Sequence, residues 1–229
     1  VAKGEIDVNE KKVVGEKAAE FIKDGMVVGL GTGSTVYYTI IKLGQLVKEG
    51  LSIQGIPTSV QTEELAKKVG IPLGHFKEIG QIDVAIDGAD EVDANLDLIK
   101  GGGGALLREK IIAKAAKTFI VVATPSKMVE TLGAFRLPVE VVPFGAELTE
   151  KHIRELGCDP YLRQLEGTPY KTDNGNYIID CVFSEISEAK RLEEKLNMLP
   201  GVVENGLFVG MSDIVISLDQ NKDVMLIKR

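Results

Sequence analysis

Residues 26–47 read MVVGLGTGSTVYYTIIKLGQLV, a short apolar run that ends in glycines and opens into a helix-type pattern. An apolar run of this length bounded by turn residues reads as a buried strand, and 34–47 then reads as a helix. The alternation extends on both sides. Upstream, 11–22 places Val13, Val14, Ala18, Phe21 and Ile22 at helical spacing, with Gly25 as a stop. Downstream, 53–57 is a weak strand, 61–69 a helix closed by Gly70, and 82–86 a strand that runs straight into DGADE. A helix over 108–117 leads to TFIVVA (118–123), an apolar, partly β-branched strand ended by Pro125. Strands alternating with helices imply βαβ units, a mostly parallel sheet and helices on both faces.

The rhythm changes after about residue 135. A strand at 137–143, a helix at 147–156, strands at 161–165 and 176–183, a helix at 187–198 and a strand at 202–209 follow one another. Asn174-Gly175 is a hairpin signal between the middle strands. The order β-α-β-β-α-β is the ferredoxin-like pattern. Two short strands, 214–218 and 224–227, close the chain and are expected to rejoin the first sheet or sit at the junction. The expected fold is α/β: a Rossmann-like, mostly parallel sheet domain (1–130 plus 206–229) with an inserted ferredoxin-like α+β domain (131–205).

The 229 residues are 44% hydrophobic with a net charge of −7, the balance of an ordinary globular chain rather than a disordered one. The acidic charge argues against nucleic-acid binding, which relies on basic patches. No stretch reaches the roughly 18 apolar residues of a membrane span. Residues 1–12 are polar and lack the apolar core of a signal peptide, so a cytoplasmic location is expected. Two cysteines, Cys158 and Cys181, cannot make a zinc site alone and read as buried small residues. The two histidines, His75 and His152, sit beside no nucleophile-like motif.

In open parallel sheets, ligands bind outside the carboxyl ends of the strands. Four segments fall there. In 29–35, GLGTGST, glycines let the backbone approach an anion at a helix start, and Thr32, Ser34 and Thr35 add hydroxyls; the alternative is a tight turn with a Ser N-cap. The dinucleotide pattern fails, because Ser34 stands where the third glycine belongs. In 87–91, DGADE, three carboxylates are solvated loop charges, partners of sugar hydroxyls with acid/base work, or, with Asp93 and Asp97, ligands of a divalent metal. In 100–104, KGGGG, four glycines suit a backbone apposed to a ligand, with Lys100 beside them to stabilise an oxyanion; a flexible loop is the alternative. Glu109, at the start of a helix, is a dipole residue or a general base.

Together these segments resemble the type A ribose-5-phosphate isomerase family. GLGTGST (29–35), DGADE (87–91), IKGGGG (99–104), LREK (107–110) and TPSK (124–127) carry the resemblance, and LPVEVVPF (137–144), TDNGN (172–176) and LPGVVENGLF (199–208) extend it into the inserted domain. It covers nearly the whole chain in order. What it implies is an aldose–ketose isomerase that interconverts D-ribose 5-phosphate and D-ribulose 5-phosphate through an enediolate, in the non-oxidative pentose phosphate pathway, with no metal and no cofactor.

Carried over by motif, Glu109 looks like the base that moves the proton between C2 and C1. Asp87, Asp90 and Lys100 look like groups that assist ring opening and stabilise charge on the substrate oxygens. Thr32, Gly33, Ser34, Thr35, Asp87, Gly88, Ala89, Asp90, Lys100, Gly101, Gly102 and Gly103 look like substrate-binding positions, with Lys127 as a charge-based contact and Lys11 as a further contact to the phosphate. The implied partner is a small sugar phosphate, with no nucleic acid and no membrane, and the implied assembly is a homodimer or homotetramer. The rival readings are a deaminase of the same fold, which would place a His near its acid/base groups, and a sugar-phosphate sensor, which would need a DNA-binding module.

Overall fold

The computed structural model describes residues 3–229, with side chains described from residue 9 onward. Contacts divide it into two compact units, one of 1–89, 108–128 and 211–229, the other of 90–107 and 129–210.

The first unit is built on a six-stranded sheet. Its strands run, edge to edge, Val224–Lys228, Ile214–Leu218, Ala116–Val122, Ile82–Gly88, Val27–Leu30 and Gln54–Pro57. Every pairing is parallel except that of Val224–Lys228 with Ile214–Leu218. The last two strands therefore rejoin the first sheet. Helices α1 (Lys3–Ala19), α2 (Val36–Lys48) and α3 (Val60–Val69) connect or cover it. Val14, Ala18, Ile40 and Leu43 from the helices pack with Val28, Leu30, Ile86, Ile120 and Ile216 from the strands in one buried core. Ser59 caps α3 by accepting from the Thr62 N–H, and Gly70, at φ 89°, ends it in the left-handed conformation.

Boundaries differ from the sequence reading where apolar pattern alone had to set them. Helix α1 begins eight residues before position 11, at Lys3, because KGEIDVNE has few apolar residues to mark a helical period. Helix α4 (Leu106–Ala115) ends early and passes directly into Ala116–Val122, since Ala116 already pairs with Ile82.

The second unit contains a four-stranded antiparallel sheet in the order Val202–Asn205, Leu137–Val141, Tyr177–Val182, Asp159–Leu162. With α5 (Ala146–Arg154) and α6 (Ala189–Asn197) it realises the expected β-α-β-β-α-β order. One sheet face is apolar: Val139, Val141, Ile179 and Cys181 meet Ala146 and Ile153 of α5 and Leu196 of α6. The two-residue strand period sends Pro138, Glu140 and Asp180 to the other face. Both of those carboxylates are fully buried.

Three expectations are corrected here. The expected strand 202–209 is split at Gly206, because Leu207–Phe208 leaves that sheet and pairs with Leu98–Ile99. The segment 90–107, expected in the first domain, clusters with the second unit. Its strands Glu91–Val92 and Leu98–Ile99 pair with each other and with Leu207–Phe208 in a separate three-stranded sheet. The expected strand 161–165 is likewise broken after Leu162. Gln164–Leu165 instead forms a small hairpin with Thr168–Pro169, turning on Glu166 and Gly167 at φ 51° and 79°.

Gly29 marks a close helix-to-sheet approach in the first unit. A Cβ there would stand 2.5 Å from Ile112 Cγ2 of α4 and 2.9 Å from Ala85 Cβ. Gly29→Ala is expected to cost about 1–3 kcal/mol in a urea unfolding titration through overpacking. A change below about 0.5 kcal/mol, the usual range for an exposed substitution, would contradict that packing.

Candidate active site

In the first unit the candidate residues gather at the carboxyl ends of the parallel strands, the edge where open α/β sheets bind ligands. The 31–35 loop follows Val27–Leu30, Asp87 and Gly88 end Ile82–Gly88, and Lys127 closes the short turn Pro125–Lys127 after Ala116–Val122.

The loop and the carboxylate are in direct contact. A Cβ on Gly31 would lie 2.2 Å from Asp87 Oδ1, so only glycine fits. Asp87 is 3% exposed, and its Oδ1 accepts from the Thr32 N–H at 3.0 Å and the Gly88 N–H at 2.8 Å. Burial of a carboxylate is tolerable when backbone N–H groups meet it, and here they also fix the loop.

Thr32 does not offer its hydroxyl outward as the sequence reading expects. Its Oγ1 lies 2.7 Å from Thr58 Oγ1, 2.8 Å from Ser59 Oγ and 3.0 Å from Thr62 Oγ1. Thr62 Oγ1 in turn donates to the Gly31 carbonyl, and Thr58 Oγ1 to that of Leu30. This hydroxyl cluster ties the loop to the cap of α3. The sequence reading missed Thr58, Ser59 and Thr62; their signal was the TS pair before a helix at 58–59.

Gly33 and Ser34 are exposed, Gly33 at φ 136°, and α2 starts directly after Thr35. Thr35, rather than Ser34, holds the cap position and makes no side-chain cap bond, and the first turn of α2 carries no acidic residue. Helix N-terminal N–H groups with no competing carboxylate suit an anion. A cavity of ≈ 650 Å³ opens beside them, lined in part by Gly31, Gly33, Ser34, Tyr37, Thr62 and Lys68. Lys11 sits on α1 one turn before Gly15, where a Cβ would stand 2.6 Å from the Thr35 carbonyl. Helical spacing therefore puts Lys11 on the face that borders the loop. Glu109 lies in the first turn of α4 and is 3% exposed.

In the second unit the two remaining carboxylates of DGADE take separate tasks. Asp90 Oδ2 accepts from the Gly102 N–H at 2.8 Å. Glu91, 3% exposed, accepts from the Gly133 N–H at 2.8 Å and from the Phe135 N–H, which makes it an anchor for that loop. Asp93 Oδ1 accepts from the N–H groups of Asn95 and Asp97, and Asp97 Oδ1 from that of Gly210. Asp93 is thus engaged in a local turn, whereas Asp97 ties that turn to Gly210, 113 residues further along the chain. Burial raises the pKa of Asp93 above the ordinary aspartate value.

Lys100 is 2% exposed, with its Nζ 5.3 Å from the centre of the Phe208 ring. Its N–H donates to Gly206. The glycines after it form a closed turn, with the Gly104 N–H donating to the Gly101 carbonyl at 2.9 Å. Gly104, at φ 83°, leaves no room for a Cβ beside the Tyr170 hydroxyl, 2.3 Å away. The run is thus a packed turn. Gly103, at its tip, is exposed.

Residues 54–222 match the family described as Ribose 5-phosphate isomerase A (phosphoriboisomerase A). The ribose-5-phosphate isomerase A of Bacillus mycoides is 54% identical over 205 residues, which cover 89% of this chain and 93% of the relative. The ribose 5-phosphate isomerase of Plasmodium falciparum superposes with a TM-score of 0.93 at 37% identity, covering 97% of this chain and 99% of that one. A D-ribose-5-phosphate isomerase solved in complex with phospho-erythronic acid superposes equally well, with a TM-score of 0.93 at 42% identity over 96% of this chain and 98% of the other.

The hydroxyl cluster can be tested without a ligand. Thr62→Val removes the donor to the Gly31 carbonyl and is expected to lower stability by about 1–3 kcal/mol. Amide exchange at 31–35 should accelerate in the same variant. Unchanged exchange there would show that the cluster does not hold the loop.

Proposed function

The chain belongs to the ribose 5-phosphate isomerase A family, and from that premise we propose how its residues interconvert D-ribose 5-phosphate and D-ribulose 5-phosphate. The observation that carries the proposal is the coupling of Thr32 and Asp87. An anion-suited helix start and a buried carboxylate are fastened by one hydrogen bond at the carboxyl edge of a parallel sheet.

In the proposed mechanism, the 32–35 backbone, Lys11 and Lys127 bind the phosphorylated sugar, with Lys127 acting mainly through its charge. Gly88, Ala89, Gly101, Gly102 and Gly103 line it with main chain. Asp87 and Asp90 accept from sugar hydroxyls and assist ring opening. The Glu109 carboxylate then removes the C2 proton of the open-chain aldose. The electrons of that bond form C1=C2, and the C1 carbonyl oxygen takes the negative charge. Lys100 stabilises the resulting enediolate. Glu109 returns its proton to C1, the hydroxyl proton on O2 passes to O1, and C2 becomes the ketone. Atoms and charge balance with no redox partner, so the reading includes no cofactor and no metal.

Three things support this assignment. The residues match the family motifs in order. Glu109 is 3% exposed and stands in the first turn of α4, directly after the glycine turn in sequence. The phospho-erythronic acid of the solved relative carries a planar carboxylate of the same shape as an enediolate. Family resemblance also supports a place in the non-oxidative pentose phosphate pathway, a cytoplasmic location and a homodimer or homotetramer.

The direct test is ketopentose formation from ribose 5-phosphate, with and without excess chelator. Chelator-resistant turnover is expected, and a folded protein with no turnover would overturn the reading. Glu109→Gln should lower kcat by about 10²–10⁴-fold with KM little changed, as for a lost general base. A near-native kcat would remove Glu109 from that role. Lys127→Ala should raise KM more than it lowers kcat, and the opposite split would contradict a binding role.

A further inference from the structure

Arg163 lies 62 residues from the glycine turn in sequence and grips it directly. Its Nε donates to Asp180 Oδ2 at 2.8 Å and its Nη2 to Asp180 Oδ1 at 2.6 Å. The third arm, Nη1, donates to the carbonyls of Gly101 at 3.2 Å and Gly102 at 3.1 Å. The Asp180 side chain is fully buried and that of Arg163 is 11% exposed. The Tyr170 ring lies 5.7 Å from the guanidinium carbon. A planar fork is required for this, because one side chain must meet a carboxylate with two donors and still reach two carbonyls.

Peptide planarity converts this grip into a direction for the turn. The Gly101–Gly102 peptide is held at both ends, its carbonyl by Arg163 and its N–H by Asp90. The Gly102–Gly103 peptide is held at its carbonyl by Arg163. In a trans peptide the N–H points opposite to the C=O. The Gly103 N–H therefore points away from Arg163, at the exposed tip of the turn, three residues after Lys100. A backbone N–H fixed in this way meets a developing negative charge without reorganising.

We propose that Arg163 is a positioning residue for the isomerisation: held by Asp180, it sets the glycine turn so that the Gly103 N–H is presented to the substrate oxygen on which charge develops. This rests on the isomerase reading above, and the experiment separates the two.

Arg163→Lys keeps a cation beside Asp180 but cannot span both the carboxylate and the two carbonyls. Arg136, whose Nε lies 3.7 Å from Asp180 Oδ1, remains as a second counter-charge that favours folding of the variant. The expected result is a fall in kcat of about 10²-fold, the typical effect of losing one oxyanion donor. KM should stay within about threefold, since the lost interaction is made mainly in the transition state. Amide hydrogen exchange at Gly102 and Gly103 should accelerate while the core strands keep their protection.

Native kcat in a folded Arg163→Lys protein, or a rise in KM alone, would overturn the proposal. So would a fall in activity that only tracks loss of folded protein by circular dichroism. Should Arg163→Lys fail to fold, Asp180→Asn leaves the guanidinium in place with a weakened hold, and the same kcat-selective loss is expected of it. A native protein that folds but does not isomerise would overturn the isomerase reading, and exchange at Gly102 and Gly103 would then decide alone whether Arg163 sets the turn.

Discussion

The approach of Gly31 to Asp87 is the constraint on which the first unit's ligand edge depends. Two adjacent parallel strands end together, and the carboxylate of one lies where a side chain of the other would have been. A buried carboxylate without donors would be strongly destabilising. Asp87 draws a donor from the very loop that excludes the side chain, through the Thr32 N–H. The glycine permits the contact and the hydrogen bond requires it. The loop's remaining polar capacity then goes inward, to Thr58, Ser59 and Thr62. The exposed part, Gly33 and Ser34, offers main chain and one hydroxyl, which suits a segment that binds anions by N–H and O–H donors.

The second unit meets the same problem with two buried carboxylates on one sheet face, and solves it twice in different ways. Asp180 is matched by a full positive charge, Arg163. Glu140 receives neutral donors at one oxygen: Thr172 Oγ1 at 2.9 Å, Asn174 Nδ2 at 3.1 Å and Asn176 Nδ2 at 2.9 Å. Those are three of the four polar positions of the TDNGN turn, so Glu140 acts as the post on which the connection from Arg163 back to Tyr177–Val182 is fastened. Buried charges contribute little net stability, but removing one partner is costly, which makes such pairs good at enforcing a single geometry. Here the geometry enforced is that of the segment carrying Arg163 and Tyr170.

Legibility from sequence follows the range of the interactions. Strands such as 118–123 and helices such as 61–69 were readable because their apolar period and their stops are local. The split at Gly206 was not, because it is made by Leu207–Phe208 choosing Leu98–Ile99, more than a hundred residues away. The placement of 90–107 fails for the same reason. Of the candidate site, the glycine loops and carboxylates stood out as residue types clustered at strand ends. The inward turn of the Thr32 hydroxyl was not legible, because its partners are 26 to 30 residues distant. Arg163 carried no signal at all: a lone arginine in YLRQL looks like any solvated charge until Asp180 and the glycine carbonyls are placed around it.

The long-range contacts share a direction. In each unit the side chains richest in hydrogen-bonding capacity are consumed in fixing main chain: Asp87 and the hydroxyl cluster fix 31–35, while Asp90, Arg163 and Tyr170 fix 101–104. A flexible glycine loop would have to be ordered each time a ligand bound, and the entropy of several glycines would be lost at that moment. Ordering them at folding moves that cost out of the catalytic cycle. It leaves dipoles already oriented when charge moves onto the substrate, which is where electrostatic stabilisation is most effective. On this view the glycines supply access and the buried ion pair supplies rigidity, and neither is sufficient without the other.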